Sequence, residues 1–127
     1  MGSAKSNAWP GMARAVDQAG NALRARYGTS PIPAEEIRRE AERIGGYRPG
    51  SVIPSDYCYN LVNRARISLT HAVLVRVGRG LYRYVGPGYA YTGPVMWRPK
   101  GGSERQVGSW TEGKCRMTED PRGGAAA

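Results

Sequence analysis

The predicted fold of this chain is decided by one stretch, Val52-Ile-Pro-Ser-Asp-Tyr-Cys-Tyr-Asn-Leu-Val-Asn-Arg-Ala65. On a helical wheel, residues 56–65 separate into an apolar face and a polar face, which is the pattern of an amphipathic helix. Ser55 suits the N-cap, and the Asp56 carboxylate suits the positive end of the helix dipole. The polar face holds Asn and Arg side chains, which can pair with adenine and guanine edges in the major groove. We therefore interpret residues 56–65 as the recognition helix of a helix-turn-helix.

Two further helices are predicted before this stretch, and a hairpin is predicted after it. Apolar residues recur at helical spacing from residue 11 to residue 27, and again over residues 35–44. Residues 72–85 alternate around the turn Gly78-Arg79-Gly80, and Val95-Met96-Trp97 predicts a short third strand. Three helices followed by a hairpin is the element order of a winged helix-turn-helix, an α+β fold. In that fold the hairpin is the wing.

The length of 127 residues accommodates one domain rather than two. We place the winged-helix domain at residues 10–100, after a flexible N-terminus at residues 1–9. Residues 101–127 are polar and Gly-rich, so we expect an extended or partly disordered tail with Trp110 docked on the domain. No apolar run approaches the roughly 20 residues of a membrane span, and the N-terminus lacks the apolar core of a signal peptide. A cytoplasmic location, in the nucleoid or in a phage-infected host cell, is expected.

The charge balance indicates a polyanionic partner. Lys and Arg number 19 against 10 Asp and Glu, which gives a formal net charge of +9, and nucleic acid is the usual partner of such a protein. Cys58, His71 and Cys115 are too widely spaced for a zinc site, and the acids do not cluster as a nuclease requires. We therefore expect no metal, no cofactor and no enzymatic activity.

Four short strings occur in order, Pro54-Ser-Asp-Tyr-Cys-Tyr-Asn60, Gly80-Leu-Tyr-Arg-Tyr-Val-Gly-Pro-Gly-Tyr89, Tyr91-Thr-Gly-Pro94 and Trp97-Arg-Pro-Lys100. As a set, over residues 32–100, they resemble a small domain of bacteria and their phages that also occurs fused to restriction-type HNH nucleases. The resemblance implies a winged-helix, DNA-binding accessory domain, phage-encoded or associated with restriction of foreign or modified DNA. This chain carries no such nuclease, so the implication extends to binding alone.

The candidate site residues fall into three groups. The candidate DNA base contacts are Tyr59, Asn60, Asn63 and Arg64. The candidate phosphate contacts are Ser55, Arg66, Arg76, Arg79 and Arg83. Tyr89, Tyr91 and Trp97 are suited either to an aromatic pocket for an extruded base or to covering the open end of the sheet. For Asn60 a bond to nearby backbone is an equally good explanation, since Asn side chains commonly make such bonds.

The leading prediction is a non-enzymatic double-stranded DNA-binding protein. The helix at residues 56–65 would enter the major groove, and the wing at residues 72–85 would grip the backbone. A transcription regulator, a reader of modified DNA and a phage accessory factor all fit this prediction. One alternative is a protein-interaction module that binds a host protein through the aromatic loop 89–97. Another is a binder of single strands or RNA that uses the same aromatic residues.

Overall fold

The structure, a computed structural model, describes residues 9–63, 70–99, 101–120 and 124–125. Its helices in these ranges are α1 (Gly11–Tyr27) and α2 (Ala34–Gly45). Its strands are β1 (Ile32–Pro33), β2 (Leu61–Val62), β3 (Leu74–Gly78), β4 (Leu81–Tyr84), β5 (Gly93–Trp97), β6 (Arg105–Thr111), β7 (Lys114–Met117), β8 (Glu119–Asp120) and β9 (Gly124–Ala125). The predictions of the first two helices, the hairpin and the strand at residues 95–97 are confirmed.

Helix α1 is fixed against strand β4 by close packing and by a buried polar contact. A Cβ atom at Gly20 would lie 2.3 Å from the Tyr84 ring, so this position of the helix accepts only glycine without a shift of the ring. One helical turn earlier, the fully buried Asp17 accepts a hydrogen bond of 2.5 Å from the Tyr84 hydroxyl. The same tyrosine therefore sets both the distance and the rotation of α1 on the sheet.

Helix α2 carries its own neutralising charges and anchors the loop that follows it. Arg38 bonds Glu35 and Glu42, and Arg43 bonds Glu40, so the exposed face is covered by ion pairs one turn apart. The Glu42 carboxylate is buried and also accepts hydrogen bonds from the backbone N–H groups of residues 50 and 52, at 2.9 and 3.2 Å. The loop after the helix is thereby held in place where the chain enters the stretch at residues 52–63.

Residues 56–65 do not form a recognition helix, and the winged helix-turn-helix prediction is wrong. A short 3-10 helix covers Pro54–Tyr57, Cys58 makes a parallel bridge to Leu74, and β2 pairs in parallel with β5. Residues 64 and 65 of the predicted helix lie outside the described ranges. In place of three helices and a wing, the described ranges contain α1 and α2 packed against a largely β structure with a three-stranded sheet, β1-β4-β3, and a four-stranded sheet, β2-β5-β6-β7.

The physical reason is that this stretch separates two hydrophobic cores. Tyr57, Cys58 and Leu61 belong to the core formed with the helices, whereas Tyr59 and Val62 belong to a second core between the sheets. A helix at this point would bury one face only. An extended chain points alternate side chains in opposite directions and can fill both cores. Hydrogen bonds from Tyr59 N–H to the Leu74 carbonyl (2.9 Å) and from Met96 N–H to the Asn60 carbonyl (3.0 Å) join the two sheets through this segment.

The hairpin at residues 72–85 is a central part of the sheet and not a projecting wing. Strand β4 pairs with both β1 and β3, and Tyr82 and Tyr84 are buried in the first core. Because the tyrosines of β4 point toward the helices, Arg83 and the turn residue Arg79 are left on the outside. Only the tip and the outer face of the hairpin are available to a partner.

The segment expected to be an extended or partly disordered tail contains two strands of the second sheet. Strand β6 pairs with β5 on one side and with β7 on the other, both antiparallel. Trp110 on β6 is 7% exposed and belongs to the second core, together with Val95 and Val107. The second core is therefore built mainly by residues from the C-terminal half of the chain.

Candidate binding site

A small cavity with aromatic walls opens beside the second core. Its volume is about 160 Å³. Four aromatic side chains line it, and the rest of its wall is formed by small residues: Trp9, Tyr59, Tyr89 and Trp110, with Thr70, Ala72, Gly88 and Gly113. Sites for drug-sized ligands usually measure roughly 300–1,000 Å³. The cavity, called the aromatic pocket below, is therefore of a size for one ring or one side chain.

Tyr59 is the centre of the aromatic pocket. Its ring makes an edge contact with Trp110, with 5.0 Å between centroids, and lies 6.0 Å from the ring of Tyr89. Its hydroxyl donates a hydrogen bond of 2.8 Å to the Gly86 carbonyl and accepts one of 3.0 Å from the Tyr89 N–H. The Tyr59 hydroxyl thus bonds the loop that carries Tyr89 at two points. Tyr59 is 3% exposed, so it forms an inner wall of the aromatic pocket and does not lie on the outer helical face where the helical wheel placed it.

The three aromatic residues nominated from the sequence do not form one pocket. Tyr89 is 45% exposed at the mouth of the aromatic pocket. The Tyr91 ring lies 5.9 Å from that of Tyr59 and packs on the second core. Trp97 also packs on the second core but does not line the cavity, and the Arg105 guanidinium lies 5.0 Å from its ring centroid. Tyr89 alone of the three lines the cavity.

The Asn side chains of the stretch make hydrogen bonds within the protein. The Asn60 amide donates a hydrogen bond to the Arg76 carbonyl (2.8 Å) and accepts one from the Arg76 N–H (2.9 Å). The Asn60 side chain thus makes the hydrogen bonds to β3 that a backbone group of a neighbouring strand would make. The Asn60 backbone carbonyl meanwhile bonds Met96 on β5. Asn63 donates to Ser55 (3.0 Å) and to the carboxylate of Asp56 (2.6 Å). Asn63 and Ser55 therefore bond within the stretch. Asn60 bonds backbone, but on a strand 16 residues away and not in a nearby turn.

The candidate phosphate contacts divide into engaged and exposed side chains. Arg76 is half-buried and bonds the Gly78 carbonyl and Glu104, both at 3.3 Å. Arg79 and Arg83 are exposed on the hairpin. Arg64 and Arg66 lie outside the described residues.

Unneutralised positive charge is concentrated on the part of the protein built from the sheets. Six exposed basic side chains make no ion pair, hydrogen bond or ring contact with the described residues: Arg48, Arg79, Arg83, Arg98, Lys114 and Arg116. Five of these six belong to the hairpin or to later residues, whereas most of the exposed arginines around α2 are paired with glutamates. Lys114 directly follows Gly113 of the pocket wall. Exposed positive charge is therefore available to an anionic ligand on the hairpin and on the residues that follow it.

Burial shifts the pKa values of two side chains at the aromatic pocket in the direction that favours their neutral forms. Burial raises the pKa of Tyr59, and this effect outweighs the backbone hydrogen bond from Tyr89, which lowers it. Burial lowers the pKa of His71, whose ring makes an edge contact with Trp9 at 4.7 Å between centroids. A ligand in this pocket would meet ring faces and edges and no full charge.

Trp9, Trp110 and Gly113 were not among the sequence-predicted site residues. Each is far from Tyr59 in sequence. Trp110 and Gly113 are placed by the pairing of β6 with β5 and β7, whereas Trp9 comes from the segment before α1. Gly113 has φ +81, and a Cβ atom there would lie 3.2 Å from the Tyr89 carbonyl oxygen. The only sequence signal for this wall was the abundance of Tyr and Trp after residue 80.

Two classes of structure are absent from the described residues. None of the helices there is long and apolar enough to cross a membrane. In the same ranges no group of three or more His, Cys, Asp or Glu is placed to hold a metal ion.

Comparison with known proteins gives a family for the chain. The chain is 33% identical over 89 residues to the Bacillus subtilis (strain 168) protein named "Uncharacterized protein YnaC". This match covers 69% of the chain. It spans only 34% of that relative's length. No solved structure matches the chain at a significant level. Residues 15–117 match the family model described as "Domain of unknown function (DUF7225)", and the chain belongs to that family.

Proposed function

We propose that this domain binds single-stranded nucleic acid, with one base in the aromatic pocket and the backbone on the exposed basic side chains of the sheets. The observation that carries the proposal is the open, neutral, aromatic pocket of about 160 Å³ in a protein of net charge +9. Proteins that bind single strands combine these two features, because aromatic rings stack on bases and Lys and Arg follow the phosphates.

A single strand is better supported than a duplex. The duplex prediction depended on a helix at residues 56–65 that would enter the major groove, and that helix is absent from the described part of the stretch. Bases in a duplex are stacked inside and cannot enter a pocket unless they are flipped out, which costs a few kcal/mol. Bases of a single strand are free to enter. The stacking of each base on an aromatic side chain is worth about 1–3 kcal/mol.

The test is fluorescence anisotropy with a labelled 15-nucleotide single strand, the matched duplex and the matched RNA, at low and moderate salt. We expect the single strands to bind more tightly than the duplex. A plot of log K against log salt concentration should have a slope of roughly −0.7 for each phosphate neutralised. Absence of single-strand binding at low salt would refute the proposal.

A pair of charge reversals locates the backbone contact. Lys114→Glu and Arg48→Glu lower the net charge equally, and both side chains are exposed and unpaired among the described residues. Lys114 adjoins the aromatic pocket, whereas Arg48 follows α2. We expect Lys114→Glu to weaken binding and to reduce the salt slope by about 0.7, and Arg48→Glu to leave the slope unchanged. Equal effects would mean that only the overall charge attracts the strand.

A second candidate function is binding of a partner protein. Tyr89 (45% exposed) lines the aromatic pocket, and Val77 (43%) and Leu81 (38%) are adjacent exposed apolar residues on the hairpin. Exposed apolar residues grouped in this way are typical of protein interfaces. Under this alternative, Val77→Ser with Leu81→Ser would abolish a partner complex and leave single-strand binding unchanged.

A further inference from the structure

The aromatic pocket has the volume of a single six-membered ring. An engineered apolar cavity of about 150 Å³ is filled by one benzene molecule, and the aromatic pocket measures about 160 Å³. A purine has two fused rings, so one of its rings would stay outside the walls. Resting on the proposed function, we infer that the pocket selects a pyrimidine base of the bound strand.

The polar groups of the wall agree with a ligand that is recognised mainly by shape. The Tyr59 hydroxyl already donates one hydrogen bond and accepts another, and the Gly113 N–H donates to the Tyr91 carbonyl at 3.0 Å. These groups have no further hydrogen to offer. The wall therefore distinguishes bases chiefly by the size of the ring that enters.

One wall residue has an unused donor. Trp110 is 7% exposed, and its indole N–H is buried without a hydrogen-bond acceptor among the described residues. A buried donor without an acceptor is unfavourable. The nitrogen is also closed to solvent in this structure, so it offers no hydrogen to a ligand in the aromatic pocket, and the choice of base depends on ring size.

The opening of the aromatic pocket allows a base of a bound nucleic-acid strand to enter. Tyr89 is half-exposed at the opening, where its ring can cover the face of an inserted base. Lys114 adjoins the wall residue Gly113 and is exposed, so a phosphate next to the inserted nucleotide has a cation within the same region. The base and its own phosphate can then be held together.

The test separates the base from the backbone. Three labelled 15-mers are compared by anisotropy at one salt concentration: one entirely of abasic sugar-phosphate units, one with a single central thymine and one with a single central adenine. We expect the thymine strand to bind at least 5-fold more tightly than the abasic strand, which is the lower end of a stacked base's contribution. The adenine strand should bind within twofold of the abasic strand.

Three tyrosine variants test whether the extra affinity of the thymine strand over the abasic strand comes from the aromatic pocket. Tyr89→Ala should bring the thymine strand down to the affinity of the abasic strand, because the exposed ring at the mouth is lost. Tyr27→Ala removes another partly exposed tyrosine, at the end of α1 and outside the aromatic pocket, and should keep the increment. Tyr89→Phe should also keep it, which shows that the ring and not the hydroxyl is required.

The outcomes distinguish this inference from the proposed function. If none of the three strands binds, the proposed function fails and the inference fails with it. If the three strands bind equally, backbone binding stands and the pyrimidine site is overturned. If the adenine strand gains as much affinity over the abasic strand as the thymine strand does, selection by ring size is overturned.

Discussion

Removal of one hydroxyl group, in Tyr59→Phe, tests whether Tyr59 holds the wall of the aromatic pocket. The hydroxyl bonds the Gly86 carbonyl at 2.8 Å and the Tyr89 N–H at 3.0 Å. Phenylalanine keeps the ring and its edge contact with Trp110. The substitution therefore removes two hydrogen bonds and almost no apolar contact.

The cost follows from the position of the two partners. Each hydrogen bond contributes about 0.5–1.5 kcal/mol net, and a buried group left unsatisfied costs about 1–3 kcal/mol. Gly86 is buried, so its carbonyl oxygen loses the hydrogen bond from the hydroxyl and cannot bond water instead. Tyr89 is exposed, so its N–H can bond water after the hydroxyl is removed. We expect the free energy of unfolding to fall by about 2–3 kcal/mol. That is a large part of the 5–15 kcal/mol typical of a domain.

The assay is urea unfolding followed by tryptophan fluorescence, since Trp110 reports directly on the second core. With a slope of about 1–3 kcal/mol per molar urea, the midpoint should fall by roughly 1–2 M. Tyr91→Phe is the matched control, because its hydroxyl donates only to the exposed Pro94 carbonyl at 3.1 Å. If Tyr59→Phe and Tyr91→Phe cost the same within about 0.5 kcal/mol, the reasoning about the pocket wall is refuted.

Three further predictions concern the stretch at residues 57–60 and its surroundings. Asn60→Ala removes both bonds to the Arg76 backbone and should lower the free energy of unfolding by about 1–3 kcal/mol; a change under about 0.5 kcal/mol in urea unfolding would contradict a ladder role. Burial raises the pKa of Tyr57 to about 12 from 10.0, so its contribution is complete below pH 10 and is lost as the pH rises to about 12. The loss should approach 3 kcal/mol, and unfolding curves at pH 9 to 11.5 should be less pH-dependent in Tyr57→Phe than in the wild type. Burial also raises the pKa of the Cys58 thiol, whereas Cys115 is partly exposed; mass spectrometry after alkylation at pH 8 should find Cys58 modified only in denaturant, and rapid native labelling would show that it is not buried.

The helices and the hairpin were predictable because their signals are local. The spacing of apolar residues in α1 and α2 lies within single elements, and the alternation of β3 and β4 lies on either side of one short turn. The recognition helix failed for the opposite reason. The partners of residues 57–62 are Leu74 and the strand at 93–97, which no helical wheel includes.

The candidate site was predictable only in part. Tyr89 was nominated from the sequence and does line the aromatic pocket. Tyr59 was assigned to a DNA-facing surface, although it forms an inner wall. Trp9 comes from the start of the described chain and Trp110 from β6, so only the tertiary fold brings them together.

The sequence by itself determined the excess of positive charge, the two helices, the hairpin and an abundance of aromatic residues near the C-terminal half. These properties depend on composition and on residues close together in the chain. The tertiary structure alone decided that Asn60 supports a sheet ladder and that four distant aromatic residues enclose one ring-sized cavity. It also decided that, among the described residues, five exposed cations without a partner lie on the hairpin or on later residues. The physical reason is that residues 57–62 supply side chains to two cores at once, and an extended conformation satisfies both whereas a helix satisfies one.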